Sequence, residues 1–419
     1  MKQMKDSGIE WIGQIPENWK LNKIGALYEE RNIKVSDQDY PPLSVTKQGV
    51  VPQLETAAKT DNGDNRKLIK KNDFVINSRS DRRGSCGISE YDGSCSLINT
   101  VLKPRHNMHN RYYNYVFRSE LFADEFYRWG NGIVDDLWST KWSNMKRIYV
   151  PFPNIEIQRR IADFLDEKCG KIDRYIEKQQ QVIEKLKVYK QSVITEAVTK
   201  GLNPTVPMKD SGIEWIGMIP EHWETPEIKY LVRIASGGTP DRNHPEYWNG
   251  NVPWIKTGEL QNDIIISAEE YITDEGLNNS SAQIFDVDTI LVAMYGQGKT
   301  RGMTGLLKIP ASTNQACAGL TVSSPSIHIQ YLWQCLIGAY DAIRAEAAGS
   351  GQPNLSATLI GNFHVALPPI EEQDKIVDHI KNRTAEISSA IEKADSLLNK
   401  LTEYKKSLIY EAVTGKMEV

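Results

Sequence analysis

The stretch MKDSGIEWIGQIPENWK at Met4–Lys20 returns as MKDSGIEWIGMIPEHWE at Met208–Glu224, with fourteen of seventeen positions identical. A second pair aligns without a gap when the chain is shifted by 215, setting residues 153–201 against 368–416. In that pair Pro153, Glu156, Gln158, Ile161, Ile172, Ile176, Leu186, Tyr189 and Ile194 recur, and both copies run into Glu-Ala-Val-Thr at 196–199 and 411–414. Internal repetition fixes the architecture before any other signal does. Here the order is shared head, private globule, shared tail, and then all three again. The private stretches, 21–152 and 225–367, match poorly and differ in length by eleven residues.

The shared tails read as long helices. From Leu165, steps of alternating four and three reach Cys169, Ile172, Ile176, Gln179, Ile183, Leu186, Lys190, Val193 and Ala197. The second copy places Ile380, Thr384, Ile387, Ile391, Ala394, Leu398, Leu401, Lys405, Leu408 and Ala412 on the same seam. Such a spacing gives one narrow apolar stripe with charged flanks, the pattern of a coiled coil. Prolines at 151, 153, 368 and 369 stop the globules before each rod, while Gly201, Asn203, Pro204 and Pro207 end the first one. Two arrangements satisfy the stripes. The two copies can pair antiparallel within the chain, with a globule near each end, or each can pair with a second molecule. Lys190 and Lys405, on the seam, can also be read as marking where the stripe fades before the helix ends.

The globules are mixed in pattern. Residues 73–77 and 286–295 are rich in β-branched residues and read as strands, and 111–128 and 328–347 carry helical spacing. The expected fold class is therefore α+β, a tandem pseudo-twofold repeat in which two globular domains are separated by two long antiparallel coiled-coil helices. Its segments are 1–152, 153–201, 202–367 and 368–419.

Length and composition agree with this and exclude several alternatives. A chain of 419 residues with 40% hydrophobic content can bury more than one core. No apolar run approaches the roughly eighteen residues of a membrane span, and the start, Met-Lys-Gln-Met-Lys-Asp, does not read as a signal peptide. A cytoplasmic protein is expected. Cys86, Cys95, Cys169, Cys317 and Cys335 form no CxxC pair and no zinc spacing with the seven histidines, so they read as reduced thiols with no metal. AMYGQGKT at Ala293–Thr300 ends like a phosphate-binding loop but has Ala where the motif needs its first glycine. DYPP at Asp39–Pro42 holds the letters of a methyltransferase motif in the wrong order. Glu184–Lys187, the nearest thing to a nuclease ExK run, lies on a rod where surface charge explains it. The chain is expected not to be an enzyme.

What remains is the chemistry of contact. NSRSDRRGSCG at Asn77–Gly87 crowds Arg79, Arg82 and Arg83 into a loop after a strand, and Lys47 and Gln48 sit in another glycine-containing turn. In the second globule YGQGKTRGMTG at Tyr295–Gly305 takes the corresponding place, with Gln297, Lys299, Thr300 and Arg301. Arg, Lys, Gln and Asn bond base edges, and glycine lets a backbone approach phosphate closely. Such loops suit nucleic acid, and they also suit plain solvation. Charge divides the globules: 21–152 holds 20 Lys+Arg against 16 Asp+Glu, a net of +4, while 225–367 holds 8 against 13, a net of −5. A second globule that binds DNA must use a local face or a partner's charge.

The repeated EWIGxIPxxW heads (Glu10–Trp19, Glu214–Trp223), GGTP at Gly237–Pro240, YWNGNVPWIKTGEL at Tyr247–Leu260, and PPIEEQ opening a rod that closes in EAVT together carry a likeness. The chain resembles the DNA-specificity subunit of type I restriction-modification enzymes over nearly its whole length; YPPLSVTKQGVV at Tyr40–Val51 is the looser part. The resemblance implies two target-recognition domains, each reading half of a split double-stranded DNA site. It implies paired helices that dock two modification (methyltransferase) subunits, accompanied by restriction (translocase) subunits. S-adenosylmethionine, ATP and Mg²⁺ would belong to those partners and no cofactor to this chain. On that reading Lys47, Gln48, Arg79, Arg82 and Arg83 face one half-site. Lys256, Thr257, Gln297, Lys299, Arg301, Asn314, Gln315, Gln352 and Asn354 face the other, the last four from the polar loops STNQA and GSGQPNLS. The expected seam is Leu165, Ile172, Ile176, Ile183, Leu186, Val193, Ile380, Ile387, Ile391, Leu398, Leu401 and Leu408. A helical scaffold that never touches DNA stays open as the rival. The tryptophans of the heads, Trp11, Trp19, Trp215 and Trp223, serve either as packing anchors or as partner contacts.

Overall fold

The computed structural model describes residues 3–55, 63–79, 82–105, 108–132, 138–296, 298–349 and 354–419. The chain divides into two compact units, residues 1–180 with 395–419, and residues 181–394. The two long helices, Ile155–Lys200 and Ile370–Val413, each contribute one half to each unit.

In the first unit the helix halves pair antiparallel. Arg160 bonds the carbonyl of Val419, and Asp173 receives Lys405 Nζ at 2.5 and 2.7 Å, so numbering rises along one helix as it falls along the other. In the second unit Lys190 Nζ donates to Ser388 Oγ at 2.9 Å, while Val198 and Ala366 share the hydroxyl of Tyr331. The two seam lysines therefore bond across the helix pair. Leu165, Ile172, Ile183, Ile380, Ile387 and Leu408 are buried, and Ile176, Leu186, Val193, Ile391, Leu398 and Leu401 are half-buried. Each fully buried Leu or Ile contributes about 1.5–3 kcal/mol.

The two heads are built alike, bond for bond. Met4–Asp6 pairs with Gln14–Pro16, and Met208–Asp210 pairs with Met218–Pro220, both antiparallel in the same register. The turn between them closes through Ser7 N to Gly13 O at 3.0 Å, and through Ser211 N to Gly217 O at 2.9 Å. Gly13 and Gly217 both stand at φ 66, a left-handed conformation that favours glycine. Each head covers the end of a long helix. Gly415, at φ 74, is packed so tightly that a Cβ there would lie 2.6 Å from Pro16 and 2.9 Å from Trp19; at Gly201, φ 70, the nearest atom would be Trp223 at 3.0 Å. Trp11, Trp19 and Trp223 are buried. Trp215 is half-buried, stacked on Phe363 at 5.4 Å. The tryptophans thus act as packing anchors.

A second repeated device fixes the start of each long helix. Gln158, fully buried, donates to Pro153 O at 2.8 Å and accepts from His109 N at 2.8 Å. Gln373, its equivalent, donates to Pro368 O at 2.9 Å and accepts from His328 N at 2.8 Å. The helices that follow those histidines, Asn110–Arg118 and Ile329–Gly338, send Tyr112 to Val413 O at 2.7 Å and Tyr331 to Val198 O at 3.2 Å.

The helical stretches 111–128 and 328–347 are each two helices rather than one. Asn110–Arg118 stops at Ser119, whose side chain caps Glu120–Arg128 by accepting from Phe122 N. Ile329–Gly338 stops at Ala339, before Tyr340–Gly349. The strand expected over 286–295 is shorter, Ile290–Ala293.

The globules share a sheet despite their unmatched sequences. In the first, the order is Cys86–Ile88, Phe74–Asn77, Asn99–Pro104, Tyr28–Glu30, all antiparallel. In the second, the order Thr304–Leu307, Ile290–Ala293, Cys317–Val322, Val232–Ser236 repeats it, again antiparallel, with Asp263–Ile265 added in parallel at the edge.

Candidate nucleic-acid interface

The shared sheet brings the same loops together in both globules. In the first, Phe74–Asn77 lies between the strands Cys86–Ile88 and Asn99–Pro104, and the chain leaves it at Ser78. Ser78 N donates to Ile98 O at 3.2 Å, and Ser78 O accepts from Thr140 N at 2.9 Å. Arg79 then bridges Ser139. The arginine loop, the Ser96–Ile98 turn and the segment Ser139–Trp142 therefore meet. In the second globule Met294 N donates to Ala316 O at 2.8 Å, and Met294 O accepts from Leu355 N at 3.0 Å. Met294 takes the place of Ser78, Ala316 that of Ile98, and Leu355 that of Thr140.

Beside the first junction lies an open cleft of about 490 Å³, lined by Arg79, Lys67, Lys141, Trp142, Leu97 and Ile98 among others. Lys67 donates to Asn99 O at 2.8 Å and stands 3.6 Å from Glu30, the one acidic residue among the described lining. Lys47 and Gln48 are exposed at the tip of the hairpin Leu43–Thr46 and Gly49–Pro52. A Cβ on Gly87 would stand 2.9 Å from Gly49 Cα, so this hairpin lies against the strand that follows the arginine loop. Arg118 fixes its tip by donating to Lys47 O at 2.8 Å. Arg82 is exposed. Arg83 instead turns to the helix Glu120–Arg128, paired with Asp124 and 5.4 Å from the Tyr127 ring centre.

At the second junction Lys299 is exposed and Arg301 half-buried, with a buried Nε that makes no hydrogen bond to a described residue. Their loop is held from one side by the helix Tyr340–Gly349: Tyr340 donates to Lys299 O at 2.6 Å, and Arg344 to Arg301 O at 2.6 Å and Gly298 O at 2.9 Å. The loop runs on into the strand Thr304–Leu307 and not into the helix a phosphate-binding loop requires. Asn354 is exposed beside Leu355. Asn314 uses its side chain on Ala316 N at 3.2 Å, shaping the turn, and Gln315 accepts from Thr239. Gln297 and Gln352 lie outside the described residues.

Thr257 opens a short turn, and Lys256 joins the junction because Asn314 N bonds Ile255 O at 3.2 Å. Its charge, however, is taken: Nζ lies 2.9 Å from Glu269 and 3.1 Å from Glu270, and those bonds raise its pKa. Glu270 also holds Arg242 at 2.7 Å, whose guanidinium stacks 3.6 Å from the Trp248 ring centre. Residues that the sequence reading missed at the junctions are Leu97, Ile98, Ser139, Lys141, Trp142 and Arg344. Strand order locates all but Arg344, which reaches the loop from the helix Tyr340–Gly349.

Catalytic chemistry finds no foothold in the thiols. Burial pushes Cys86, Cys95, Cys317 and Cys335 up to about 12 and Cys169 up to about 11, so they stay protonated and inert. Among the described residues no cluster of His, Cys, Asp and Glu could hold a metal ion, and no helix is long and apolar enough to cross a membrane.

Comparison with known proteins follows the same duplication. The family described as "Type I restriction modification DNA specificity domain" matches twice, over residues 16–187 and 220–397. The type I restriction enzyme EcoR124I/EcoR124II specificity subunit of Escherichia coli is 26% identical over 196 residues, covering 45% of this chain and 48%, about half, of that protein. The MjaVIII specificity subunit of Methanocaldococcus jannaschii is 24% identical over 430 residues, covering 97% of this chain and 94% of that one. A solved chain described under "complex assembly and conformational transition of the type I R-M system" superimposes with a TM-score of 0.74 at 12% identity, covering 96% of this chain and 99% of its own, a likeness of fold. With both repeats matched, the chain belongs to the type I restriction-modification DNA-specificity family.

Proposed function

We propose that this chain is the sequence-reading subunit of a type I restriction-modification complex, that each globule reads one half of a split site in double-stranded DNA, and that the chain performs no chemistry itself. The observation that carries the reading is the three-loop junction, formed by the same backbone bonds around Ser78 and around Met294 but dressed with different side chains. Identical geometry with different side chains is what two readers of two unlike half-sites require. Phosphate contacts position such a protein, and contacts to base edges give it sequence.

Arg79, Arg82, Lys47 and Gln48 face one half-site, and Lys299, Arg301, Gln315 and Asn354 the other. Arg301 fits a base-reading role because arginine bonds base edges and its half-buried side chain stands in the loop beside exposed Lys299. The repeated heads and helices supply two like docking surfaces, suited to two copies of an adenine-methylating subunit. Restriction subunits would join the same assembly in the cytoplasm, and S-adenosylmethionine, ATP and Mg²⁺ would act in those partners.

The test is to map methylated adenines in host DNA with and without this chain. The expected result is a two-part motif, interrupted by unread bases, that is lost when the chain is deleted. An unchanged methylation map rejects the reading.

A further inference from the structure

The Ser96–Ile98 turn carries two neighbouring aliphatic side chains that face water, Leu97 at 40% and Ile98 at 36% exposure. A single exposed aliphatic is ordinary on a protein surface. These two stand side by side and line the cleft that also holds Lys67, Arg79, Lys141 and Trp142. Neither Arg79 nor Lys141 forms an ion pair with a described residue.

The strand register identifies what replaces them in the other globule. Asn99 pairs with Asn77, and Cys317 pairs with Ala293, so Leu97 and Ile98 correspond to Gln315 and Ala316. One reader thus carries an amide where the other carries a branched aliphatic. An amide can exchange hydrogen bonds with a base edge; an aliphatic group can exchange none. The apolar feature that the major groove presents is the C5-methyl group of thymine, placed beside acceptor atoms that cations favour. A half-site whose adenine is to be methylated holds a thymine opposite that adenine, so the group is present.

We propose that Leu97 and Ile98 read the methyl group of one thymine in the half-site of the first globule, with Lys141 holding the adjoining backbone. The inference rests on the proposed DNA-reading function and deepens it by naming the base feature recognised.

The experiment uses the full chain in complex with its modification subunits and duplexes of the mapped site. Each thymine of the half-site that the first globule reads is replaced singly by deoxyuridine, which removes the methyl group and nothing else. The expected result is one position at which binding weakens roughly fourfold, the worth of one buried carbon. At that position Leu97→Ser binds the thymine and deoxyuridine duplexes alike, while unfolding at the same temperature as the unaltered protein. Leu97→Ala, which retains only a methyl group, falls between the two. Equal binding of every deoxyuridine duplex by the unaltered complex overturns the inference, as does a Leu97→Ser complex that keeps the full difference; in both cases specific binding of the mapped site persists and the proposed function stands. A complex that prefers the mapped site no more than a scrambled duplex overturns both.

Discussion

The heads repeat in sequence and in structure, whereas the globules repeat in structure alone. The cause is which atoms make the fit. In the heads the contacts are side-chain contacts: Trp19 and Trp223 fill enclosed sites, a Cβ at Gly415 would collide with Pro16, and one at Gly201 would press on Trp223. Changing a letter there changes the packing. In the globules the equivalent contacts are backbone bonds, Ser78 N to Ile98 O and Met294 N to Ala316 O, which any residue except proline can make. Side chains at those places are free to differ, and it is on them that different base sequences can be read.

The largest test of this contrast is at the anchors. Trp19→Ala and Trp223→Ala should each destabilise by about 3–5 kcal/mol in chemical denaturation; a loss confined to one head would mean the two are not equivalent. Next come the buried glutamines. Gln158→Ala strands a backbone N–H and a carbonyl, Gln373→Ala a backbone N–H and the carbonyls of Pro368 and Ser326, and each should cost about 1–3 kcal/mol by the same measurement.

At the reading loops the effect moves from stability to specificity. Arg79→Ala and Arg301→Ala should each weaken binding of the mapped site by about 1–3 kcal/mol and relax one half of the methylated motif while leaving the other intact. Relaxation of both halves by either change would break the assignment of one globule to one half-site. The smallest effect concerns the first long helix, where Gly170 occupies the position at which the second repeat has Ala385. A Cβ at Gly170 would meet nothing within 4 Å, so Gly170→Ala should stabilise by about 0.5–1 kcal/mol, read as a raised unfolding temperature.

The sequence made the long helices and the α+β class legible because both signals are local: a four-three apolar spacing, and runs of β-branched or helical pattern. The breaks at Ser119 and Ala339 escaped because a single non-helical residue hardly disturbs the apolar spacing around it. Sheet order escaped for a different reason, since pairing joins strands far apart in the chain through backbone atoms that leave no mark on composition. The same limit applied to the interface. The arginine loop stood out by its own letters, but Leu97, Ser139 and Trp142 reach the junction only through pairing. Lys256 looked free because the carboxylates that neutralise it lie on the neighbouring strand Glu270–Ile272 and just before it.

The bond from the Tyr112 hydroxyl to the carbonyl of Val413 spans 301 residues. Leu408, Ala412 and Val413 also belong to the interior of the first unit. During synthesis that unit must wait, with Tyr112 and its neighbours unsealed, until residues 395–419 have been translated, whereas residues 181–394 of the second unit form one unbroken stretch. The usual N-terminal-first order of domain folding is therefore inverted: the half of the protein that is made first is finished last.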